Sequence, residues 1–189
     1  MTTEARREEA TSAPAPAAEP EEENGAYAAL KRIARAWARE QDRDKARGFE
    51  IIGRGLASVM PCERAYLLRA ISQFELEVAG VFGGCEEGLQ PRQTLEEEPR
   101  TLRLLVSALD VKMCSDIRYP TDELERRLGA EGLGSALCVV LREQGKPPGL
   151  LVVASDQPRA YGLPQMRLLH KMASGITRHL RHWQLRAEG

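Results

Sequence analysis

The stretch GKPPGLLVVASDQPRAY, residues 145–161, places an apolar run between two polar breaks. Together with SALCVVLREQ, residues 135–144, it predicts a hairpin of two long apolar strands. Pro147 and Pro148 cannot donate hydrogen bonds to a strand ladder, so they keep the turn out of the sheet. The second break, DQPRAYGLP, turns the chain off the sheet toward its last helix. These two strands form the centre of the predicted fold.

The sequence between residues 63 and 130 predicts the remaining strands and two short helices. ERAYLLRAI and FELEVAGVF predict a first hairpin, whose second strand alternates apolar and acidic residues. Next come a long exposed loop over residues 83–100, a short helix over 101–109, a short strand over 110–117, and a helix over 121–129 that Thr121 caps and Gly129 ends. This order of elements predicts an α+β fold with an antiparallel sheet.

Amphipathic helices are predicted at both ends of the domain. Residues 25–60 predict two helices or one bent helix, and residues 164–187 predict one long helix. Their apolar stripes consist of Tyr27, Leu30, Ala34 and Trp37 in the first helix and of Met166, Leu169, Ala173, Ile176, Leu180 and Trp183 in the last. The last stripe repeats with a spacing of three and four residues, which favours packing against another helix.

The charge is uneven along the chain of 189 residues, although the net charge is only -1. Residues 1–24 hold two arginines against seven glutamates, with almost no large apolar side chain, which predicts a disordered acidic tail. Residues 25–47 and 164–189 are basic by contrast. Nucleic acid is nevertheless an unexpected partner, because the protein is net acidic and no recognition motif accompanies the basic helices.

The composition also predicts the cellular compartment of the protein and argues against a zinc site formed by its cysteines. No apolar stretch approaches the roughly 20 residues that a membrane span needs, and the N-terminus lacks a signal peptide's apolar core. We therefore expect a cytoplasmic protein with no membrane partner. The four cysteines, which lack a CxxC pair, are expected to be reduced thiols rather than zinc ligands; they are Cys62, Cys85, Cys114 and Cys138.

Four segments together resemble the GAF domain family over residues 27–187: CERAYLLRA, KMCSDI, GLGSALCVVL, and the run from GLLVVASDQPRAYGLP into QMRLLHKMASGITRHL. The resemblance implies one domain over residues 25–187, with the sheet and loops in 63–155. It further implies a twisted antiparallel sheet with the terminal helices on one face and the loops and short helices on the other. Members of the family are mostly regulatory and bind small molecules on the loop-bearing face, or serve as dimerisation modules.

The known chemistries of the family match these residues poorly. The cyclic-nucleotide signature keeps only its aromatic residue, Tyr161, because Ser155, Asp156, Gln165 and Met166 stand at its other positions. A bilin-attaching Cys is missing as well, since Leu128-Gly129-Ala130 stands where it is expected. All three histidines lie on the last helix, outside the implied pocket, so no metal site or other cofactor is expected.

One enzymatic alternative remains open, the thiol-dependent free methionine sulfoxide reductase branch of the family. Cys85 and Cys114 lie in the regions where that branch carries reactive cysteines. The glycine-rich lead into the attacking Cys and the branch's other landmarks are absent, so we expect a protein that is not an enzyme.

The interpretation that the sequence favours is a non-catalytic GAF-type regulatory domain of bacterial-style signalling. It would sense a small molecule or present an interaction surface, with its output passing through a partner protein; the alternative is a ligand-free dimerisation scaffold. The residues expected around a pocket are Phe82, Arg100, Leu104, Met113, Cys114, Arg118, Tyr119, Leu124 and Cys138. The helix stripes given above are expected to form the interface of a homodimer, as such helices commonly do in the family.

Overall fold

The computed structural model describes residues 45–72, 75–96, 111–142 and 149–184, together with the single positions Gly25, Ala28, Arg35 and Ala36, which are helical. The elements are α1 (Lys45–Ala57), β1 (Arg64–Ala70), β2 (Glu75–Phe82), β3 (Thr94–Glu96), β4 (Val111–Cys114), α2 (Glu123–Ala130), β5 (Ser135–Leu141), β6 (Gly149–Ser155) and α3 (Leu163–Gln184). The predicted acidic tail and the predicted helix over 101–109 lie outside the described residues.

The six described strands form one antiparallel sheet in the order β3-β2-β1-β6-β5-β4. The predicted hairpin of β5 and β6 is confirmed, with Leu141 opposite Gly149 and Ser135 opposite Ser155. All seven residues of each strand are buried, because both faces of the sheet are covered. The α+β fold with an antiparallel sheet is therefore as the sequence predicts.

Alternate residues of the central strands contribute their side chains to two separate apolar cores, one on each face of the sheet. The core beneath α1 and α3, here the helix face, contains Phe49, Ile52, Leu56, Ala65, Leu67, Leu137, Val139, Leu151, Val153, Leu169, Ala173 and Ile176. The core beneath α2 and the β2–β3 loop, here the loop face, contains Tyr66, Leu68, Leu76, Val78, Leu89, Leu95, Ile117, Leu124, Leu128, Cys138, Val140 and Val152. The terminal helix and the short helix thus cover opposite faces.

A β-bulge interrupts the alternation of β2. Leu67 pairs with Gly80 and Leu68 pairs with Val78, which leaves Ala79 without a partner in β1. Before the bulge Val78 faces the loop-face core, whereas after it Phe82 packs against the helix-face core. The bulge therefore reverses the faces of the last residues of β2.

The start of α2 differs from the prediction by one residue. Asp122, not Thr121, is the N-cap, and its side chain accepts a hydrogen bond from the Glu125 N–H over 2.8 Å. Glu125 reaches back, and its Oε2 accepts the Thr121 N–H over 2.6 Å and the Thr121 hydroxyl over 2.9 Å. The prediction of Thr121 as the cap is wrong, because the Thr121 hydroxyl donates to the Glu125 side chain instead of accepting from the first turn.

The sequence predicted that α2 ends at Gly129, but the helix ends beyond this residue. Gly132 takes the left-handed conformation with φ 81°, and the Leu133 N–H donates to the Leu128 carbonyl over 3.1 Å. The Gly132 N–H donates to the Gly129 carbonyl over 3.0 Å, so the helix ends in a Schellman motif. Glu131 is consequently the C-cap residue of α2.

Two further boundaries were misplaced. The predicted loop over 83–100 contains the short strand β3, which pairs with β2 from Glu75 to Glu77. The last helix begins at Leu163, before Pro164, and Gln165 caps it by accepting the Gly162 N–H over 3.0 Å. Within the described part of the chain, no helix combines the length and apolar character needed to cross a membrane.

Candidate functional site

The loop face holds a buried carboxylate that collects hydrogen bonds from two other elements. Glu131, at the C-cap of α2, has a side chain that is 3% exposed. Its Oε2 accepts a hydrogen bond from the Tyr66 hydroxyl of β1 over 2.6 Å, and its Oε1 accepts the Leu89 N–H of the β2–β3 loop over 2.9 Å. Both oxygens of the carboxylate are therefore recognised by donors. We call this group, with Arg64 and Cys85 described below, the Glu131 cluster.

Arg64 is the cation of the cluster, and part of its hydrogen-bonding capacity is unused. Its Nε lies 3.9 Å from Glu131 Oε2, which is too long for a hydrogen bond. This nitrogen is buried and finds no acceptor among the described residues. Nη1 donates instead to the Glu63 carbonyl over 3.0 Å. Arg64 thus supplies charge to the carboxylate without bonding to it.

The β2–β3 loop packs against the cluster at Gly88. A Cβ atom added at Gly88 would lie 2.5 Å from Glu131 Oε2 and 3.0 Å from Cys85 Sγ. The carboxylate and the partly buried thiol therefore surround the same point of the loop backbone. Only glycine leaves room for this approach.

The Tyr66 hydroxyl remains a donor over the whole physiological range. Burial raises the pKa of Tyr66, and the hydrogen bond to Glu131 raises this pKa further, because a neighbouring negative charge opposes ionisation. Tyr66 therefore acts as a permanent O–H group that points at the carboxylate.

A second buried ionic group on the loop face centres on Lys112 of β4. Its ammonium contacts the Asp122 carboxylate and lies 2.7 Å from Glu125 Oε1. The two carboxylates are 1% and 5% exposed. Burial alone would lower the pKa of Lys112, but its hydrogen bonds to Asp122 and Glu125 raise it above the ordinary value. In this Lys112 cluster, Lys112 is thus held in its charged form, and the same contact lowers the pKa of Glu125.

The thiols near the Lys112 cluster are poor nucleophiles. Burial, with the charge of Glu125 adding to it, raises the pKa of Cys114 to about 11. Burial raises the pKa of Cys138 to about 12 and that of Cys62, on the helix face, to about 12 as well. These three cysteines stay protonated near neutral pH and lack the thiolate that attack on a sulfoxide requires.

No protein-family model and no curated protein matches the sequence. Among solved structures, the chromophore-binding domain of a bacteriophytochrome from R. palustris is similar, with a TM-score of 0.65 and 12% identity over 92% of this chain; the chain spans 66% of that domain. The GAF domain of a phosphoenolpyruvate-protein phosphotransferase from Coxiella burnetii has a TM-score of 0.64 and 15% identity, covering 86% of this chain and 99% of that one. The chain has a GAF-like fold.

A third similar structure is the phycoerythrobilin-bound GAF domain of a cyanobacterial phytochrome, with a TM-score of 0.65, 15% identity, and coverage of 86% of this chain and 97% of that one. At identities this low the likeness is one of fold. It confirms the resemblance drawn from the sequence as far as architecture is concerned.

Within the GAF-like fold, the predicted pocket residues separate into three groups. Cys114, Leu124 and Cys138 come together on the loop face beside Lys112, and their role in a pocket stays a prediction. Arg118 and Tyr119 lie instead on an exposed turn, where Arg118 pairs with Asp116 over 2.6 Å and Tyr119 is 77% exposed. Arg100 and Leu104 lie outside the described residues.

Two predicted pocket residues occupy the wrong face. Phe82 was expected beneath the loops, but the bulge in β2 turns it onto the helix face, where its ring packs on Gly53 of α1. Met113 stands opposite Leu137, a residue of the helix-face core, so it shares that face and is partly exposed at the sheet edge. Neither side chain can line a pocket on the loop face.

Part of the apolar stripe predicted to form a dimer interface is buried within the chain itself. Leu169, Ala173 and Ile176 are buried in the helix-face core, and Met166 packs against it. Leu169, Ala173 and Ile176 therefore contact the sheet of their own chain, and the homodimer itself stays a prediction. Tyr27, Leu30, Ala34 and Trp37 lie outside the described residues, as do the side chains of Leu180 and Trp183.

The sequence offered uneven signals for the residues of the two clusters. Arg64 and Tyr66 stand at alternate positions of an apolar strand, a spacing that indicates one shared face of the sheet but not which face. Lys112 interrupts an apolar strand in the same way. Glu131 follows a helix in a polar stretch and resembles a surface residue, so nothing in its local sequence indicated burial.

Proposed function

We propose that the chain is a non-catalytic regulatory GAF domain that binds a small molecule at the Glu131 cluster and passes the signal to a partner protein. The supporting observation is the buried Nε of Arg64, which lacks an acceptor within the described part of the structure. A buried donor without a partner is costly and rare in folded proteins, so its retention calls for an explanation. A ligand that accepts this hydrogen bond supplies one.

The surroundings of Arg64 suit such a ligand. The cluster lies on the loop-bearing face, under a loop that approaches Glu131 and Cys85 closely because Gly88 lacks a side chain. Glycines of this kind let a loop open with little steric resistance. Three sets of donors, from Arg64, Tyr66 and the Leu89 backbone, converge on one point.

The absence of catalysis in this proposal follows from the thiols. The raised pKa of Cys114 removes one of the two cysteines that the reductase alternative needs. Incubation with free methionine sulfoxide and a thiol donor is expected to give the rate of buffer alone. A protein-dependent rate that is lost in Cys85→Ser would establish the reductase instead.

The ligand-free scaffold is the second candidate, and the packing of the loop face favours it. Leu89, Leu95, Ile117, Leu124 and Leu128 are each at most 2% exposed and fill the space beneath α2 and the loop. Such filling leaves little room for a large ligand, so the two proposals differ in whether a small molecule can enter beside Arg64.

The output is proposed to pass through a homodimer and a further signalling protein. Because part of the α3 stripe packs on its own sheet, the contact between copies would use the ends of the predicted helices, including Leu180 and Trp183. Sedimentation equilibrium at tens of micromolar should give a dimer mass, and Leu180→Glu should weaken it. A monomer mass for the unaltered chain would contradict the dimer.

Native mass spectrometry of the freshly purified protein tests the sensor proposal. We expect a co-purified small molecule that is lost in Arg64→Ala and kept in Arg127→Ala, which removes an exposed arginine from α2. The scaffold would be favoured if the protein carries no small molecule and if no class of metabolite shifts its unfolding temperature.

A further inference from the structure

We infer that the Glu131 cluster is a receptor for a small carboxylate, and that the Glu131 side chain occupies it in the ligand-free protein. The inference rests on the proposed sensor function and adds the chemical class of the ligand. It is carried by the donor set around Glu131, which is larger than the set that Glu131 uses.

The donors match a carboxylate in number and placement. Tyr66 donates to one oxygen of Glu131 and the Leu89 N–H donates to the other, so two donors from separate elements address the two oxygens of one planar group. The Tyr66 hydroxyl stays protonated and therefore prefers an anionic acceptor. This pattern fits the carboxylate group itself, whichever molecule carries it.

Arg64 provides one donor, its Nε, that Glu131 leaves unused. A guanidinium pairs best with a carboxylate through two parallel hydrogen bonds, one of which can come from Nε. Glu131 Oε2 stays 3.9 Å from that nitrogen because its side chain is tethered to the C-cap of α2. A free carboxylate has no tether, so it can approach Nε while keeping the bonds from Tyr66 and Leu89.

The exchange requires only a small movement. Glu131 is the C-cap of α2 and lies outside the helix proper, so its side chain can change rotamer without breaking a helical residue's position. Rotation of the Glu131 side chain away from Gly88 would free the donors without unfolding α2. The vacated site would then present Arg64 and Tyr66, which favour an anion and reject a cation.

Chemical complementation of Glu131→Ala tests the inference directly. Sodium propionate should raise the unfolding temperature of this variant in a concentration-dependent way, compared with sodium chloride at equal ionic strength. Propionamide, which has the same shape and no charge, should have little effect. Arg64→Ala in the Glu131→Ala background should abolish the response to propionate.

Wild-type protein provides the comparison for affinity. Because Glu131 competes for the same donors, the wild type should bind propionate at least about tenfold more weakly than Glu131→Ala, as measured by calorimetric titration. The Leu89 amide resonance should shift on binding in both proteins. If Glu131→Ala does not fold, Glu131→Gln replaces it, and it should still bind propionate more tightly than the wild type.

Several outcomes would overturn the inference while leaving the sensor proposal intact. Equal stabilisation by propionate and propionamide would show a filled cavity rather than a carboxylate receptor. A response to sulfate or inorganic phosphate that exceeds the response to propionate would assign the site to tetrahedral anions. A co-purified ligand that depends on Arg64 but binds equally well to Glu131→Gln would show that Glu131 does not compete with it.

Discussion

The two faces of the sheet are built from alternate residues of the same strands, yet they hold very different contents. The helix-face core is almost wholly apolar, and its buried Tyr161 hydroxyl donates to the Pro61 carbonyl over 3.0 Å. The loop face buries three carboxylates, those of Asp122, Glu125 and Glu131. Buried charge stabilises a fold poorly, since desolvation offsets most of the attraction. The difference indicates that the helix face contributes apolar packing alone, whereas the loop face also holds the buried charges.

The largest loss of stability is expected from a substitution that opens a cavity in the helix-face core. Phe49→Ala should lower the free energy of unfolding by roughly 3–5 kcal/mol, because it leaves a cavity against Gly80 and the buried α1 contacts. Urea unfolding followed by circular dichroism measures the loss. A loss below about 1 kcal/mol would mean that the helix face is less tightly packed than its burial implies.

Removing the cation of the Lys112 cluster should come next in size. Lys112→Met leaves the buried carboxylates of Asp122 and Glu125 without their partner, which should lower the unfolding free energy by roughly 1–3 kcal/mol at neutral pH. The difference from wild type should shrink in acid as the carboxylates are neutralised. Urea midpoints at several pH values provide the test, and a deficit that does not depend on pH would point to lost packing alone.

Acid sensitivity of the loop face should give a smaller effect. Burial alone would raise the pKa of Glu125, but hydrogen bonds from Lys112 and Thr121 lower it below the ordinary value of 4.5. A lowered folded-state pKa stabilises the protein above the unfolded-state value, and this stability is lost as the pH falls through the folded-state pKa. Glu125→Gln should therefore flatten the fall in urea midpoint below pH 4.5, and an unchanged slope would argue against the prediction.

The smallest effect is expected for charge on the outer surface of the same helix. Arg127 pairs with Glu123 over 2.8 Å on the exposed side of α2. Arg127→Ala should change the unfolding free energy by only a few tenths of a kcal/mol, because water screens such pairs. Thermal unfolding of this variant beside Lys112→Met shows whether burial, rather than charge alone, distinguishes the loop face. Similar losses in the two variants would remove that distinction.

The sequence predicted the fold well because its signals extend over whole elements. The apolar runs of β5 and β6 and the stripe of α3 each cover many residues, so small local errors do not change the architecture. The assignment of Phe82 failed because a single unpaired residue, Ala79, reverses the faces of β2, and no periodic pattern reports one extra residue. Glu131 was missed because its burial arises from contacts with Tyr66 and Leu89, 65 and 42 residues away in the chain.

The bulge at Ala79 acts on β2 as a frameshift acts on a coding sequence. Deleting this one residue would restore simple alternation, so that the side chains of Val81 and Phe82 would each move to the opposite face of the sheet. The aromatic ring would then leave Gly53 and enter the side of the sheet that holds Arg64 and Glu131. One residue without a partner thus decides which face of the sheet receives the ring of Phe82.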